Sequence, residues 1–312
     1  MDIAVVGSNM VDLISYINRM PHEGETVEAP DFRMGCGGKG ANQAIAASRM
    51  GSEVLMVTRV GNDMFADNTI RNFAENGIDT KFVMRTDATS GVAPIFVDPQ
   101  SRNSIIIVKG ANALLTPGDV ERAKAQIAEC KLIVMQLEIP LETVYATIRL
   151  GNELGIPILL NPAPADPSLS LEQVKNVEFI VPNESELSLL TGMPVESEED
   201  IRAAGQVLTH SGIPNVIVTL GSRGALWISE AGEQLIEGTS DRAVDTTGAG
   251  DAFIGCFSHC WTQTGDIAES IRKANIYAGD AVTKRGTQTS YATAEELNLR
   301  WSAVFLGSVW LA

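Results

Sequence analysis

No stretch of this 312-residue sequence is both apolar and long enough to cross a bilayer, and positive charge is scarce in it. A membrane-spanning helix needs about 20 predominantly apolar residues. Lys and Arg number 23 against 39 Asp and Glu, which gives a formal net charge of −16. Such an excess of negative charge disfavours nucleic acids and other polyanionic partners. Any phosphate group must therefore be bound locally, by backbone amides, a metal ion or a few chosen cations.

Cysteine and histidine are also rare, with four and three residues respectively. Four scattered cysteines do not make a disulfide framework. Cys256 and Cys260 share a helix face beside His259, but no second ligand pair occurs elsewhere, so core thiols are favoured over a zinc site. The Gly-x-Ser-x-Gly pattern is absent, which disfavours a hydrolase triad. The opening segment MDIAVVGSNMVDL lacks the basic stretch of a signal peptide, so we expect a cytoplasmic protein.

Short apolar runs alternate with amphipathic helical segments along most of the chain. Several helical segments end in Gly, the usual helix stop, as in GANQAIAASRMG and LETVYATIRLGNELG. This repetition predicts an α/β fold with a doubly wound, mostly parallel sheet and helices on both faces. The runs with the character of buried parallel strands are DIAVVG, VLMVTRVG, KLIVMQLE, IPILLNP, VEFIVPN and NVIVTLG.

Two regions interrupt this alternation, at about residues 12–34 and 90–110. Both are strand-like with turn signals and contain no helical segment. They predict a small antiparallel sheet that projects from the α/β core and covers a pocket as a lid, within one domain over residues 1–312. The apolar segment at 300–312 carries no expectation beyond packing or contact between subunits.

Polar, Gly and Pro residues collect where the predicted strands end. Ligands of open parallel sheets bind outside the carboxyl ends of the strands. Turn formation accounts for some of these residues, but repeated Glu and Asn at the ends of buried strands favour a binding site. The residues concerned are Asn9 to Asp12, Glu138, Asn161 to Pro164, Asn183, Glu186, Gly221 and Ser222.

The segment GCGGKGANQA contains Gly35-x-Gly37-x-x-Gly40, a formal match to a dinucleotide fingerprint. That fingerprint expects an acidic residue at the end of the next strand, to bind the ribose. The next strand ends in Thr58 and Arg59 instead. A nicotinamide- or flavin-dependent oxidoreductase is therefore the weaker alternative. A Walker A loop is excluded, because Lys39 is followed by Gly rather than Ser or Thr.

The segment AVDTTGAGDAFIG sets Asp251 directly after three small residues, Gly248, Ala249 and Gly250, and before an apolar helical run. A glycine-rich turn at a helix N-terminus collects N–H groups that attract anions. Asp251 could simply stabilise the start of the helix. Alternatively, the amides bind a phosphoryl group while Asp251 takes the proton of an attacking hydroxyl.

The segments GGKGANQA and DTTGAGDAF, in this order, resemble the two signatures of the ribokinase family of sugar and nucleoside kinases, of the phosphofructokinase B type. The segments QLE, NPAP, PNESE, VTLGSRGA and NIYAGDAVTKRGTQTS also match the family in order. The resemblance covers essentially residues 2 to 299. It implies the doubly wound fold with a β lid, ATP-dependent phosphorylation of a sugar hydroxyl, Mg²⁺ with the ATP, K⁺ as an activator, and a homodimer formed through the lid.

The resemblance also implies roles for individual residues. Asp251 is the implied base, and Gly248, Ala249 and Gly250 form the implied anion hole. The implied sugar-binding residues are Asp12, Gly37, Gly38, Lys39, Asn42 and Glu138. The implied nucleotide-binding residues are Asn183, Thr219, Gly221, Ser222, Gly224, Gly250 and Asn275. Glu186 is implied to bind Mg²⁺ through water. The implied K⁺ ligands are main-chain oxygens of Asp245, Thr247, Ala281, Lys284 and Gly286, with the side chain of Ser290.

Met10 bears on the choice of sugar. Ribose-selective members of the family carry Asn at this position, and an amide can hydrogen-bond a hydroxyl, whereas a thioether offers apolar contact and only a weak acceptor. The expected substrate is therefore 2-deoxy-D-ribose, phosphorylated at its 5-hydroxyl, with D-ribose poorer. The alternatives are a kinase acting mainly on D-ribose, another small sugar or nucleoside kinase of the family, and a catalytically silent sugar-binding protein. Met10 could also be simply a core residue.

Overall fold

The computed structural model of the protein describes residues 1–100 and 103–297, and the apolar segment at 300–312 lies outside them. The described strands are β1 (Ile3–Val6), β2 (Met10–Tyr16), β3 (Asp31–Gly37), β4 (Val54–Val60), β5 (Asp79–Arg85), β6 (Val92–Val97), β7 (Asn103–Ile105), β8 (Leu132–Met135), β9 (Ile158–Leu160), β10 (Phe179–Ile180), β11 (Asn215–Thr219), β12 (Ala225–Ser229) and β13 (Gly232–Ile236). The described α-helices are α1 (Lys39–Arg49), α2 (Met64–Glu75), α3 (Pro117–Ile127), α4 (Leu141–Leu154), α5 (Leu171–Val174), α6 (Glu184–Thr191), α7 (Glu198–His210), α8 (Ala249–Thr264) and α9 (Ile267–Val282).

The main sheet has the strand order β13-β12-β11-β10-β9-β8-β1-β4-β5 within the described ranges. Every neighbouring pair from β11 to β5 is parallel, whereas the β11–β12 and β12–β13 pairs at the other edge are antiparallel. The predicted doubly wound, mostly parallel sheet is confirmed.

Strands β1, β8, β9 and β10 are apolar at every position because both faces of the sheet are covered. In β1, Ile3 and Val5 point into one core cluster, whereas Ala4 and Val6 point into the other. Helices α1, α8 and α9 contribute to the first cluster. Helices α3, α4 and α7 contribute to the second. A helix layer on each face leaves the strand ends as the open edge at which a site can form.

The second sheet has the order β3-β2-β6-β7. The β2–β3 and β6–β7 pairs are antiparallel, as predicted for this small sheet, but the middle pair β2–β6 is parallel. The exception arises because β2 and β6 belong to separate insertions that run in the same direction, with Val11 opposite Val92. Strand β2 begins at Met10 and contains Asp12, so both residues lie in this sheet.

The sequence analysis did not predict β5 or the β12–β13 hairpin, which lie at the two edges of the main sheet. The edge strands β5 and β13 are partly exposed and mix polar with apolar residues, so they lack the continuous apolar character of the inner strands. Among the described residues, no helix is long and apolar enough to cross a membrane.

Candidate active site

Asp251 lies in the first turn of α8 and is only 6% exposed. The helix begins after Gly248, whose φ of 76° is in the left-handed region that glycine adopts at little cost. The N–H of Ala249 donates to the carbonyl of Thr246 at 3.3 Å. This leaves the amides of Gly248 and Gly250 as the better candidates to face an anion at the helix N-terminus.

Two consecutive residues of α1 donate to the two oxygens of the Asp251 carboxylate. Asn42 Nδ2 donates to Oδ2 at 2.9 Å, and Gln43 Nε2 donates to Oδ1 at 2.9 Å. Asn42 in turn accepts a hydrogen bond on Oδ1 from Gln288 Nε2 at 2.9 Å. The sequence analysis predicted Asn42 at the site but missed Gln43. Only its position beside Asn42 in GGKGANQA could have indicated it.

Glu138 follows β8 and is buried beside the start of α1. Its Oε2 accepts hydrogen bonds from the Ser8 hydroxyl and from the Lys39 backbone N–H, the latter at 2.9 Å. Asp12 is also buried. Burial and the negative charges of Glu138 and Asp251 raise the pKa of Asp12 to about 7. Asp12 therefore lies within the electrostatic influence of both of these carboxylates.

Lys39 supplies a positive charge to this group of carboxylates. Burial acts to lower the pKa of Lys39, but the negative charges of Asp251, Glu138 and Glu186 outweigh it, and the pKa is raised. The lysine therefore stays charged, although no direct ion pair is formed with it in the described part of the chain. A charged ammonium that is not committed to one carboxylate is suited to meet a phosphate group.

Gly37 and Gly38 are required by the close approach of β2 to the start of α1. A Cβ on Gly37 would overlap the Asp12 carboxylate, and one on Gly38 would lie 2.6 Å from the Met10 backbone nitrogen. Gly38 also has a φ of 89°. Met10 and Asp12 lie on the same face of β2, since strand residues alternate. Met10 is buried, with Asn112 Nδ2 3.7 Å from its sulfur.

A cavity of about 380 Å³ lies beside the N-terminus of α8. A second cavity, of about 180 Å³, contains Asp251, Lys39 and Glu186 and shares Thr219 and Gly250 with the first. The predicted nucleotide residues on the larger cavity are Thr219, Gly221, Ser222, Gly224, Gly250 and Asn275, and Asn183 lies on the smaller one.

Asn275 is committed to the protein backbone on its donor side. Its Nδ2 donates to the carbonyls of Ile236 and Glu237, at 3.0 and 3.1 Å. It therefore fixes the wall of the larger cavity at the end of β13, and only its oxygen remains to meet a ligand.

Asn183 and Glu186 form a capping box at the start of α6. Asn183 Oδ1 accepts from the Glu186 N–H at 2.9 Å, and Glu186 Oε2 accepts from the Asn183 N–H at 2.8 Å. Asn183 therefore acts as the N-cap of α6. Burial raises the pKa of Glu186, which indicates that its charge lacks full compensation in the protein alone.

The predicted K⁺ ligands come from two segments that pack together. Asp245 joins them, since its Oδ1 accepts from the Thr247 N–H and its Oδ2 from the Gly286 N–H, both at 3.0 Å. Ser290 Oγ donates to the Thr287 carbonyl at 2.7 Å, which leaves its oxygen free to accept or to ligate. Among the described residues, no cluster of three or more His, Cys, Asp or Glu side chains could hold a metal ion.

The remaining alternatives from the sequence lack the context that they need. The Gly35-x-Gly37-x-x-Gly40 segment runs from the end of β3, a strand of the small sheet, into the start of α1, whereas a dinucleotide fingerprint follows a strand of the parallel sheet. Cys256 and Cys260 are free and buried among core residues. The candidate site is therefore formed by the N-termini of α1 and α8 and the strand ends beside them.

Comparisons with known proteins agree on one family. The profile of the pfkB family of carbohydrate kinases matches residues 1–294. A deoxyribokinase of Salmonella typhi is 54% identical over 299 residues, which cover 96% of this chain and 98% of that protein. The structure of a ribokinase from Thermotoga maritima matches with a TM-score of 0.88 and 31% identity, covering 96% and 98% of the two chains. An Arabidopsis thaliana ribokinase complexed with ribose and ATP matches with a TM-score of 0.87 and 28% identity, covering 95% and 97%.

Proposed function

Because the chain belongs to the pfkB family of carbohydrate kinases, we propose that it transfers the γ-phosphoryl group of ATP to the 5-hydroxyl of 2-deoxy-D-ribose. The observation that carries the proposal is the location of Asp251, which borders the smaller cavity directly beside the larger one. The 54% identity to a deoxyribokinase supports the choice of sugar. D-ribose is the poorer substrate, and a kinase acting mainly on D-ribose is the alternative.

The proposed reaction is an in-line displacement. The 5-hydroxyl oxygen forms a bond to the γ-phosphorus while the bond from that phosphorus to the β–γ bridging oxygen breaks, and ADP leaves. Asp251 accepts the hydroxyl proton. The amides of Gly248 and Gly250 stabilise charge on the transferring group. Lys39 offers a charge for the phosphate oxygens. The base lies next to the anion site because the nucleophile must pass between the two.

ATP-dependent turnover in a coupled assay tests this proposal, with 2-deoxy-D-ribose, D-ribose and a nucleoside compared at equal concentration. We expect ADP release with both sugars and a higher kcat/KM for the deoxy sugar. A protein that binds a sugar without releasing ADP would be the catalytically silent alternative. A preference for a nucleoside would show that the protein is a nucleoside kinase of the family and would contradict the proposed substrate.

The sugar is held on its other side by Asp12 and Glu138, whose carboxylates accept from hydroxyls, together with Asn42 and the backbone at Gly37 and Gly38. This part of the proposal is supported by the close approach that these glycines allow. Met10 lies on the same strand face as Asp12 and presents an apolar thioether. A methylene at C2 packs against such a surface, whereas a hydroxyl is left without a good partner.

We expect Met10→Asn to move the sugar preference towards D-ribose by about one to two decades in kcat/KM, because an unsatisfied buried hydroxyl costs about 1–3 kcal/mol. The measurement is the ratio of kcat/KM for the two sugars in wild type and variant. Met10→Leu is the matched control, since it stays apolar and should keep the wild-type ratio. A ratio that Met10→Asn leaves unchanged would remove Met10 from the specificity argument.

The affinity for sugar should depend on pH through Asp12. With a pKa of about 7, this carboxyl is protonated in acid and ionised in base. Sugar hydroxyls donate to the ionised form, so KM for the sugar should rise by up to about tenfold for each pH unit below 7. KM for ATP should stay flat over the same range. Asp12→Asn should raise the sugar KM and abolish its pH dependence, and a sugar KM in wild type that does not vary with pH contradicts the role.

Mg²⁺ accompanies ATP in the proposed reaction. The residues fit a metal held mainly by the phosphates, because Glu186 is the one other carboxylate beside Asp251 among the described residues that line the smaller cavity, and its Oε1 is not used in the capping box. A water on the metal would donate to that oxygen. Bound Mg²⁺ supplies charge neutralisation for the phosphates.

A monovalent cation site is proposed between the segments at 243–247 and 281–290, with the ligands named above and K⁺ as the ion. The carbonyl- and hydroxyl-rich ligand set supports it. We expect replacement of K⁺ by a bulky organic cation such as tetramethylammonium to lower kcat several-fold, since these segments border Gly248. Sodium serves as an intermediate case. Equal rates with all three cations would contradict the site.

We further propose that the chain acts as one kinase domain with the small sheet as its lid, and that two copies pair through that sheet. Exposed apolar residues on it support the pairing: Phe32 is 57% exposed, and Met34, Ile105 and Ile106 are also exposed. Light scattering at micromolar concentration should give the mass of a dimer, which Phe32→Lys should reduce to that of a monomer. The free cysteines support a reducing, cytoplasmic compartment.

A further inference from the structure

Two buried glutamines lie behind Asp251 and take no part in the function proposed above. Gln43 and Gln136 are each 1% exposed. Gln43 Nε2 donates to Asp251 Oδ1 at 2.9 Å and to Asn161 Oδ1 at 3.2 Å. Gln136 Nε2 donates to Gln43 Oε1 at 2.6 Å. Gln43 therefore lies between the Asp251 carboxylate and the side-chain amide of Gln136, and Gln136 lines neither of the two cavities described above.

The hydrogen bonds determine which way each amide faces. Asn161 Nδ2 donates to the Val181 carbonyl at 2.9 Å, so its oxygen faces Gln43. The oxygen of Gln43 accepts from Gln136, so its NH₂ group faces Asp251. Reversing Gln43 would bring its oxygen against an ionised carboxylate. All donors in this chain of glutamines therefore point towards Asp251.

This arrangement leaves the oxygen of Gln136 unsatisfied, which lowers the stability of the fold. The Oε1 atom of Gln136 is buried and has no hydrogen-bond partner within the described residues. It lies where a Cβ on Gly7 would overlap it. An unsatisfied buried acceptor costs about 1–3 kcal/mol. An apolar residue at position 136 would avoid that cost, so the glutamine is better explained by what its NH₂ group does for Gln43.

We propose that Gln43, held in place by Gln136, is a positioning residue for phosphoryl transfer that fixes the carboxylate of Asp251. The inference rests on the proposed role of Asp251 as the base. Asn42 donates to one oxygen and Gln43 to the other, so rotation of the carboxylate breaks both bonds. The attacking hydroxyl then meets an oxygen in a fixed direction, and each oxygen keeps a lone pair for the proton.

Other ionisable groups also act on Asp251. Lys39, Asp12, Glu186 and the phenol of Tyr291 each interact electrostatically with it. None of them is replaced when Gln43 is changed. If substitution of Gln43 changes the pH dependence of kcat, the change is therefore caused by the loss of the Gln43 amide and not by the loss of another ionisable group.

The test is Gln43→Met, which keeps the length of the side chain and removes both donor and acceptor. We expect kcat to fall by about 10- to 100-fold, with KM for ATP and sugar changed less than about threefold, because the lost interaction acts on the reacting group. The acid limb of the kcat profile should move to higher pH, because the carboxylate loses the hydrogen bond from Gln43. A role in packing alone would lower Tm and leave kcat per folded protein and the pH profile unchanged.

Gln136→Met is the matched control, because this residue acts only through Gln43. It should lower kcat less and move the acid limb in the same direction. The double variant should match Gln43→Met, whereas additive losses would show two independent effects and overturn the proposal. Wild-type kcat and pH profile in Gln43→Met also overturn it. If Gln43→Met does not fold, an unchanged pH profile of kcat in Gln136→Met overturns the proposal instead. An active Asp251→Asn would instead reject the base assignment itself.

Discussion

Replacing Asp251 by Asn is expected to lower kcat by about 10²–10⁴-fold, because the hydroxyl loses its proton acceptor in the transition state. The carboxylate is buried and accepts from Asn42 and Gln43, one on each oxygen. An amide in its place keeps the shape of the side chain. The measurement is single-turnover ADP formation together with direct binding of ATP, whose Kd should change little.

The substitution has one local consequence that needs a control. The NH₂ group that Asp251→Asn introduces would face one of the two donors from α1, and this donor–donor contact is repulsive. Asp251→Ala avoids this donor–donor contact and should lose activity to a similar extent. Glu186→Gln tests a buried carboxylate in the same cavity and should retain more activity, since it does not accept the proton. Turnover near the wild-type rate in Asp251→Asn would reject the assignment.

Gly248→Ala is expected to lower kcat by about 10²–10³-fold, the size of effect seen when a preorganised donor to a developing anion is lost. Gly248 has a φ of 76°, and a Cβ there would lie 2.7 Å from the Tyr291 hydroxyl and overlap the Thr287 side chain. That hydroxyl donates to the Gly248 carbonyl at 2.9 Å. The added methyl group must therefore displace the turn that presents the amides of Gly248 and Gly250.

Gly265 provides a matched control at the other end of α8. It has a φ of 72°, and a Cβ there would meet nothing within 4 Å. Gly265→Ala therefore carries the same backbone strain, about 1–2 kcal/mol, without touching the site. Both variants should lower Tm, and only Gly248→Ala should lower kcat per folded protein. Equal kcat in the two variants would mean that this turn does not contribute to phosphoryl transfer.

The sequence was most informative where local pattern and burial coincide. Strands such as β1 and β8 are buried on both faces, so their continuous apolar runs identified them, and the fold class is confirmed. The edge strands β5 and β13 were missed because their exposed positions break that pattern. The parallel pairing of β2 with β6 was also missed, since pairing between separate insertions leaves no trace in either segment.

The sequence analysis predicted the site residues that lie in motifs and missed the residues that hold them in position. Asp251, Asn42 and Lys39 lie in glycine-rich segments that mark helix starts, and these patterns are visible along the chain. Gln43 contacts Asp251 across 208 positions of sequence, and Gln136 lies inside what resembles an ordinary strand end. Hydrogen bonds between distant elements depend on how helices pack, which periodicity does not specify.

Helices α8 and α9 also determine when the hydrophobic core can be completed during synthesis of the chain. Their residues Phe257 and Tyr277 complete the core cluster that contains Ile3 and Ile45. On the ribosome, β1 and α1 emerge long before these helices, so the apolar face that they share stays open to other chains for most of synthesis. Contacts between segments distant in sequence form slowly, and such open faces favour association. Asp251 lies in α8, one of the two helices that cover this apolar face. Packing of α8 therefore both places the proposed base in the site and buries the surface that favours association.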